Sequence, residues 1–158
     1  MSEFKHAPQS RHEALVPFSR DHYTGLVQAQ HLVKAADALE VDRRKAVAEF
    51  MDAWDNEISS HFRDEERLLA GLLGEEDRRR MIQEHETLTE LARQASKLRK
   101  QVDPDPDTLR QIGQRLEQHI RWEERELFHR IQNQLTEQKL AELKRQTAEI
   151  EATRPRKS

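Results

Sequence analysis

The stretches His61–Arg67, "HFRDEER", and His119–Arg125, "HIRWEER", share the pattern His-x-Arg-x-Glu-Glu-Arg in a chain of 158 residues with eight histidines. In each, the first glutamate (Glu65, Glu123) follows its histidine by four positions. Residues i and i+4 lie on one face of an α-helix, so each heptapeptide offers an imidazole and a carboxylate side by side. The second glutamates, Glu66 and Glu124, fall about 140° round the helix from their histidines. They read as solvated or as supports to the inner residues. Arg63, Arg67, Arg121 and Arg125 read as surface ion pairs, each worth little.

Outside the repeat, the composition is 36% charged and 35% hydrophobic, with four glycines and no cysteine. A chain rich in Glu, Arg, Lys, Gln, Leu and Ala with few glycines is a helix former. Low apolar content also fits disorder, but the apolar residues here are periodic. A net charge of −3 and a pI near 6.3 give no reason to expect nucleic acid or an anionic membrane as partner. Without cysteine there is no disulfide, no thiolate-bound zinc and no Fe–S cluster. No apolar run reaches the ~18–20 residues of a membrane span and no signal peptide opens the chain. The expectation is a soluble cytoplasmic protein.

Working outward, residues 1–18 carry two prolines and no sustained period, and read as an arm. Ser19 is the expected cap of helix A, whose seam His22, Leu26, Ala29, Val33 and Ala36 runs to about Leu39. Asp42 is expected to cap helix B, with the seam Val47, Met51, Trp54, Ile58, His61, Glu65, Leu68 and Leu72. Gly71 and Gly74 end it. Helix C spans 75–101 with Met81, His85, Leu88, Ala92 and Ala95 on its seam. "DPDPD" at 103–107 breaks the chain, and helix D carries Leu109, Ile112, Leu116, His119, Glu123, Leu127 and Ile131. Thr136 caps a shorter fifth helix with the stripe Leu140, Leu143 and Ile150, which covers either the bundle or a partner chain. Long helices with short links predict an all-α, up-down-up-down antiparallel four-helix bundle (19–135), followed by a short C-terminal helix and basic tail (136–158).

Each long helix has one histidine on its seam: His22, His61, His85 and His119. His22 lies about eighteen residues before the A–B turn and His61 about nineteen after it, a difference of ~1.5 Å at the helical rise. Similar counting across the B–C turn brings His85 to the level of His61, while the C–D pair fits less well, about sixteen residues against twelve, a difference that the "DPDPD" link absorbs in part. Four imidazoles and two carboxylates at one depth would be very costly to bury uncompensated. A pair of divalent cations compensates them, and imidazole with carboxylate suits iron, manganese or zinc. The expected metal ligands are His22, His61, Glu65, His85, His119 and Glu123, with Glu124 as the alternative to Glu123.

These residues resemble the hemerythrin-like family, or HHE cation-binding domain, over Ser19 to about Leu135. "RDHYTGL" supplies His22, "HFRDEERLL" His61 and Glu65, "QEHETL" His85, and "HIRWEERELF" His119 and Glu123. The resemblance implies two iron ions in a non-haem di-iron centre with an oxo or hydroxo bridge. Oxygen-carrying members have a second histidine four residues after the helix-C ligand, where this chain has Thr89, and an aspartate where it has Glu124. The resulting four-His two-Glu set is similar to branches linked to iron sensing or repair of iron centres.

The functional expectation is a di-iron protein that binds or senses O2 or NO or handles iron. The alternative is a di-iron oxidoreductase acting on ferrous iron, peroxide or NO. The chain is expected as a monomer or homodimer, with a separate redox or signalling partner. Leu26, Ile58, Leu88, Leu116, Trp54 and Trp122 should keep the pocket dry and small, with Tyr23 either donating a hydrogen bond near it or facing solvent.

Overall fold

A computed structural model describes residues 10–153, all of whose regular elements are helical. Helix α1 is Val16–Ala36; α2 is Glu40–Ala53 and α3 is Ser59–Leu69, joined into one rod by a π-helical turn, Trp54–Ile58. Helix α4 is Glu75–Leu98; α5 is Pro106–Trp122 and α6 is Phe128–Gln134, again one rod interrupted by a π turn, Glu123–Leu127. Helix α7 is Glu137–Thr153. The five rods pack antiparallel, as the short links predict for the first four. None of the helices among the described residues is long and apolar enough to cross a membrane.

Several boundaries differ from the expected ones for identifiable reasons. Helix α1 starts at Val16, not after Ser19, because Pro17 fits the first turn, where its missing N–H has no partner to lose. Ser19 is therefore inside the helix, where its hydroxyl donates to Glu124 Oε2 at 2.7 Å. The arm is not free where it is described: Ala14 and Leu15 are fully buried. Asp42 does not cap α2 from outside; it is the third helical residue and accepts from the backbone N–H of Leu39. Within "DPDPD", Asp105 caps α5 by accepting from Thr108 N at 3.1 Å, and Pro106 is the first helical residue. Thr136 caps the fifth helix as expected, its hydroxyl accepting from Lys139 N. The "RPRKS" tail, from 154 on, lies outside the described residues.

Helix α1 packs most extensively along α5, and the sequence allows this close approach at two glycines. A Cβ on Gly113 would stand 2.6 Å from the carbonyl oxygen of Ala29, and one on Gly25 2.6 Å from Ile120 Cδ1. The apolar residues form two cores. One, toward the α1–α2 turn, includes Leu32, Val47, Phe50, Leu91 and Leu109. The other, toward α6, includes Leu15, Phe18, Leu69, Met81, Leu127 and Phe128, and α7 closes it with Leu143 and Ile150. The fifth helix thus covers the bundle itself. Between the two cores lies a layer of buried polar side chains.

Candidate metal centre

The polar layer contains His22, His61, Glu65, His85, His119 and Glu123, each at most 4% exposed, with both carboxylates fully buried. Their donor atoms form two groups, His22–His61–Glu65–Glu123 and His85–His119–Glu65–Glu123, within each of which all atoms lie within 4.8 Å of one another. The i, i+4 spacing puts Glu65 beside His61 and Glu123 beside His119, and the antiparallel rods bring these pairs face to face. The π turn beginning at Glu123 widens the backbone where that carboxylate enters the core, a deformation frequent at functional sites.

Each carboxylate divides its oxygens between the groups. Glu65 Oε2 is 2.9 Å from His61 Nε2 and 3.7 Å from His22 Nε2, while Oε1 is 3.1 Å from His85 Nε2. Glu123 Oε1 accepts from His22 Nε2 at 2.9 Å, while Oε2 is 3.2 Å from His119 Nε2. Glu123, not Glu124, is therefore the α5–α6 carboxylate that reaches the cluster. Glu124 lies on the outer side of His22.

The outer side has its own order. His22 Nδ1 donates to Glu124 Oε2 at 2.6 Å, His61 Nδ1 to Asp21 Oδ2 at 2.9 Å, His85 Nδ1 to Glu66 Oε2 at 2.8 Å and His119 Nδ1 to Glu84 Oε1 at 2.7 Å. Every cluster histidine is thus held by a half-buried carboxylate from another helix. Such a bond fixes the ring and directs Nε2 inward, raising its basicity toward a metal. The second glutamates of the repeat are supports for His85 and His22. Asp21 and Glu84 were missed by the sequence reading. Their signal was visible, since each immediately precedes a seam histidine, but their targets lie on neighbouring helices.

Protonation compensates the buried charge when only protein groups are present. Burial pushes His61 down, but the Glu65 carboxylate and the bond to Asp21 outweigh it and raise it to about 9. Burial likewise opposes His119, which Glu123 and Glu84 raise to about 10. His22 is held well above the ordinary histidine range, against burial, by Glu123, Glu124 and Glu65. Glu65 is held well below the carboxylate range, also against burial, by the charge of His61 and by the nearby imidazoles of His22 and His85.

Protonation alone leaves the layer incompletely satisfied. Among the described residues, the buried side-chain atoms lacking a hydrogen bond are Gln28 Oε1 and four atoms of this cluster: His61 Nε2, Glu65 Oε2, His119 Nε2 and Glu123 Oε2. The i, i+4 pairs are close but out of line for hydrogen bonding, so unmet donor and acceptor capacity converges on the middle of the layer. A metal ion in each group would satisfy it, and the nitrogen–oxygen donor set fits first-row divalent metals. Thr89, where oxygen carriers have a further histidine, donates its hydroxyl to the carbonyl of His85 at 2.8 Å.

Aromatic rings pack the imidazoles. Phe62 stacks on His85 with centroids 4.1 Å apart, Phe128 stacks on His22 at 5.5 Å, and Phe18 meets the edge of His61. Trp54 packs on Phe50 and Phe62, while Trp122 lies against His119 and beneath the Arg80 guanidinium. Tyr23 is 74% exposed and faces solvent. An internal cavity of about 10 Å³ adjoins the His22–His61 group, bounded by Gly25, Ile58, Leu116 and Ile120, with Glu57 at its edge. That is room for about one water-sized molecule.

A helical bundle with two adjoining His2Glu2 groups sharing both carboxylates is consistent with a binuclear metal site. The Hemerythrin HHE cation binding domain matches residues 18–131, and the chain belongs to that family. Comparisons with curated proteins and with solved structures gave no match. The chain is thus an HHE cation-binding domain with a buried His/Glu cluster able to hold metal ions.

Proposed function

We propose that the protein holds two iron ions, one through His22 and His61 and one through His85 and His119, with Glu65 and Glu123 shared by both, and that it binds O2, NO or peroxide there. The observation that carries this reading is the convergence of four buried, unpartnered donor and acceptor atoms between two apolar cores. Leaving such atoms unsatisfied costs roughly 1–3 kcal/mol each, a penalty that metal ligation removes. Iron supplies exchangeable coordination positions and one-electron redox steps.

The protein's own residues supply the rest. Asp21, Glu66, Glu84 and Glu124 hold the imidazoles with Nε2 inward. The cavity beside His22 and His61 accommodates a molecule of diatomic size and excludes larger substrates.

Metal analysis and the near-ultraviolet spectrum of the purified protein test this reading. The expected result is one iron for each of the two donor groups, with a charge-transfer band that reduction bleaches. A folded, metal-free protein that ignores added ferrous iron would overturn it. Exposure of the reduced protein to O2 then separates a reversible adduct, expected of a binding protein, from repeated turnover, expected of an oxidoreductase.

A further inference from the structure

We propose that Glu57 is the passage point through which a divalent cation reaches the centre, from an acidic groove on the α1–α2 face to the His22–His61 group. The inference rests on the reading of the buried cluster as a metal centre and adds the route by which it fills.

Outside the internal cavity lies an open groove of about 430 Å³, whose lining includes Tyr23, Gln28, Glu49, Asp52, Asn56 and Glu57. Glu57 lines both this groove and the internal cavity, and so forms the wall between them. Thr24, from α1, donates to Glu57 Oε1 at 3.2 Å across that wall. Glu49, Asp52 and Glu57 give the groove its charge, and no lysine or arginine is among its lining residues. His31 stands 3.5 Å from Glu49, and Asn56 donates to Asp52. A cleft of one charge sign concentrates counter-ions and speeds their capture.

Below the wall, His61 follows Glu57 by four positions and Glu65 follows by eight. Carboxylate, imidazole and carboxylate therefore descend one face of the rod, from groove to polar layer. The next donor inward, His61 Nε2, is buried and lacks a hydrogen bond. The two spaces differ greatly in size. The groove is large enough for a hydrated cation, whereas the internal cavity of about 10 Å³ has room for about one water-sized species. An ion passing inward must shed water, and Glu57 offers oxygen in its place.

The other half of the centre lacks this arrangement. Along α5 the corresponding descent reads Arg115, His119, Glu123, and the small cavity on that side is bounded by Arg115, Leu88, Glu84 and His119. A guanidinium stands where the first carboxylate would be. The open pocket beside His85, about 210 Å³, is lined by Glu66 and Glu86 but also by Arg93, so the acids on that side are accompanied by arginines that the Glu57 groove lacks.

Stopped-flow mixing of the metal-free full chain with Co(II), followed by the visible absorption of the ligated ion, tests the route. Glu57→Gln keeps the size and can still accept from Thr24. It should slow uptake roughly ten-fold while reaching the wild-type final stoichiometry. Glu57→Asp, which keeps the charge, should stay within a few-fold of wild type, and added salt should slow the wild type more than Glu57→Gln. Arg115→Gln should not slow uptake. Equal rates in wild type and Glu57→Gln, equal slowing by Arg115→Gln, or a wild-type rate indifferent to salt would each overturn the route, with the metal centre left standing. Failure of the wild type to ligate cobalt at all would overturn both, a result distinct from the other three. Helical circular dichroism of each variant confirms that the comparison is made between folded proteins.

Discussion

The α1/α3 half of the centre and the α4/α5 half are built from corresponding residues. Asp21–His22 answers to Glu84–His85, and His61, Glu65 and Glu66 answer to His119, Glu123 and Glu124. The outer bonds correspond as well: the acid before each α1 or α4 histidine holds the histidine of the next rod, and the second glutamate of each rod holds a histidine of α4 or α1. The packing breaks the correspondence. Gly25 stands where α4 has Leu88, Glu57 where α5 has Arg115, and Phe62, which stacks on His85, where α5 has Ile120. The donor sets are thus near copies, while the side chains packed around them are not.

Removing donors should break the comparison most severely. Glu65 and Glu123 belong to both groups, so Glu65→Ala or Glu123→Ala should strip most of the metal, whereas His61→Ala and His119→Ala should each leave about half. Metal analysis checks this; loss of all metal from both histidine variants would show that the halves do not bind independently. The supports come next. Glu84→Gln and Glu124→Gln should each weaken metal affinity roughly 10–100-fold without abolishing binding, measured by competition with a chelator. An effect confined to one variant would mean that only one half relies on its outer carboxylate.

Packing variants sharpen the contrast further. Leu88 is 3% exposed, and Leu88→Ala should cost about 2–5 kcal/mol of stability in urea unfolding. Gly25→Ala should change stability much less. The added methyl displaces only the mobile end of Ile120, and alanine's helix propensity offsets the strain by up to about 1 kcal/mol. It should nevertheless fill the cavity and slow azide or NO binding. Equal stability losses at the two positions would show that the void beside Gly25 is not real free space.

The smallest expected effect is the raised titration of the cluster histidines in metal-free protein. His61 is raised to about 9 and His119 to about 10, from an ordinary value near 6.5. Both are raised, so their contribution to stability is complete below about pH 6.5. It declines as pH rises through 9 and 10. Histidine NMR resonances followed from pH 6 to 11 check this: both rings should stay protonated well above pH 6.5, and deprotonation near 6.5 would contradict it. Metal binding competes with these protons, so affinity should move the opposite way and increase with pH.

Much of this was legible in the residues because helical spacing is a local rule. The four seam histidines, and the glutamates four after two of them, share a face by virtue of the 3.6-residue turn alone. Matching their depth needed only the lengths of the connecting segments. The supports were harder. Glu66 and Glu124 lie about 140° from their own histidines, and the sequence left them as solvated or supporting because their targets are on other rods. Ser19 looked like a cap because its hydroxyl has that chemistry, but Pro17 and the burial of Leu15 and Phe18 moved the helix start upstream.

By itself, the sequence determined the helical class, the bundle's chain order and the residues that could meet at one depth. All three follow from periodicity, capping chemistry and chain breakers, which act over a few residues. Tertiary structure alone decided that Glu123 and not Glu124 faces the cluster, that four carboxylates from neighbouring rods hold the imidazoles, and that α7 closes the bundle's own lower core. It also decided that the groove outside one half is lined by carboxylates without lysine or arginine, while the cavities on the other side include Arg115 and Arg93. These features depend on how side chains from different rods meet across the core, and no spacing within a single helix specifies that.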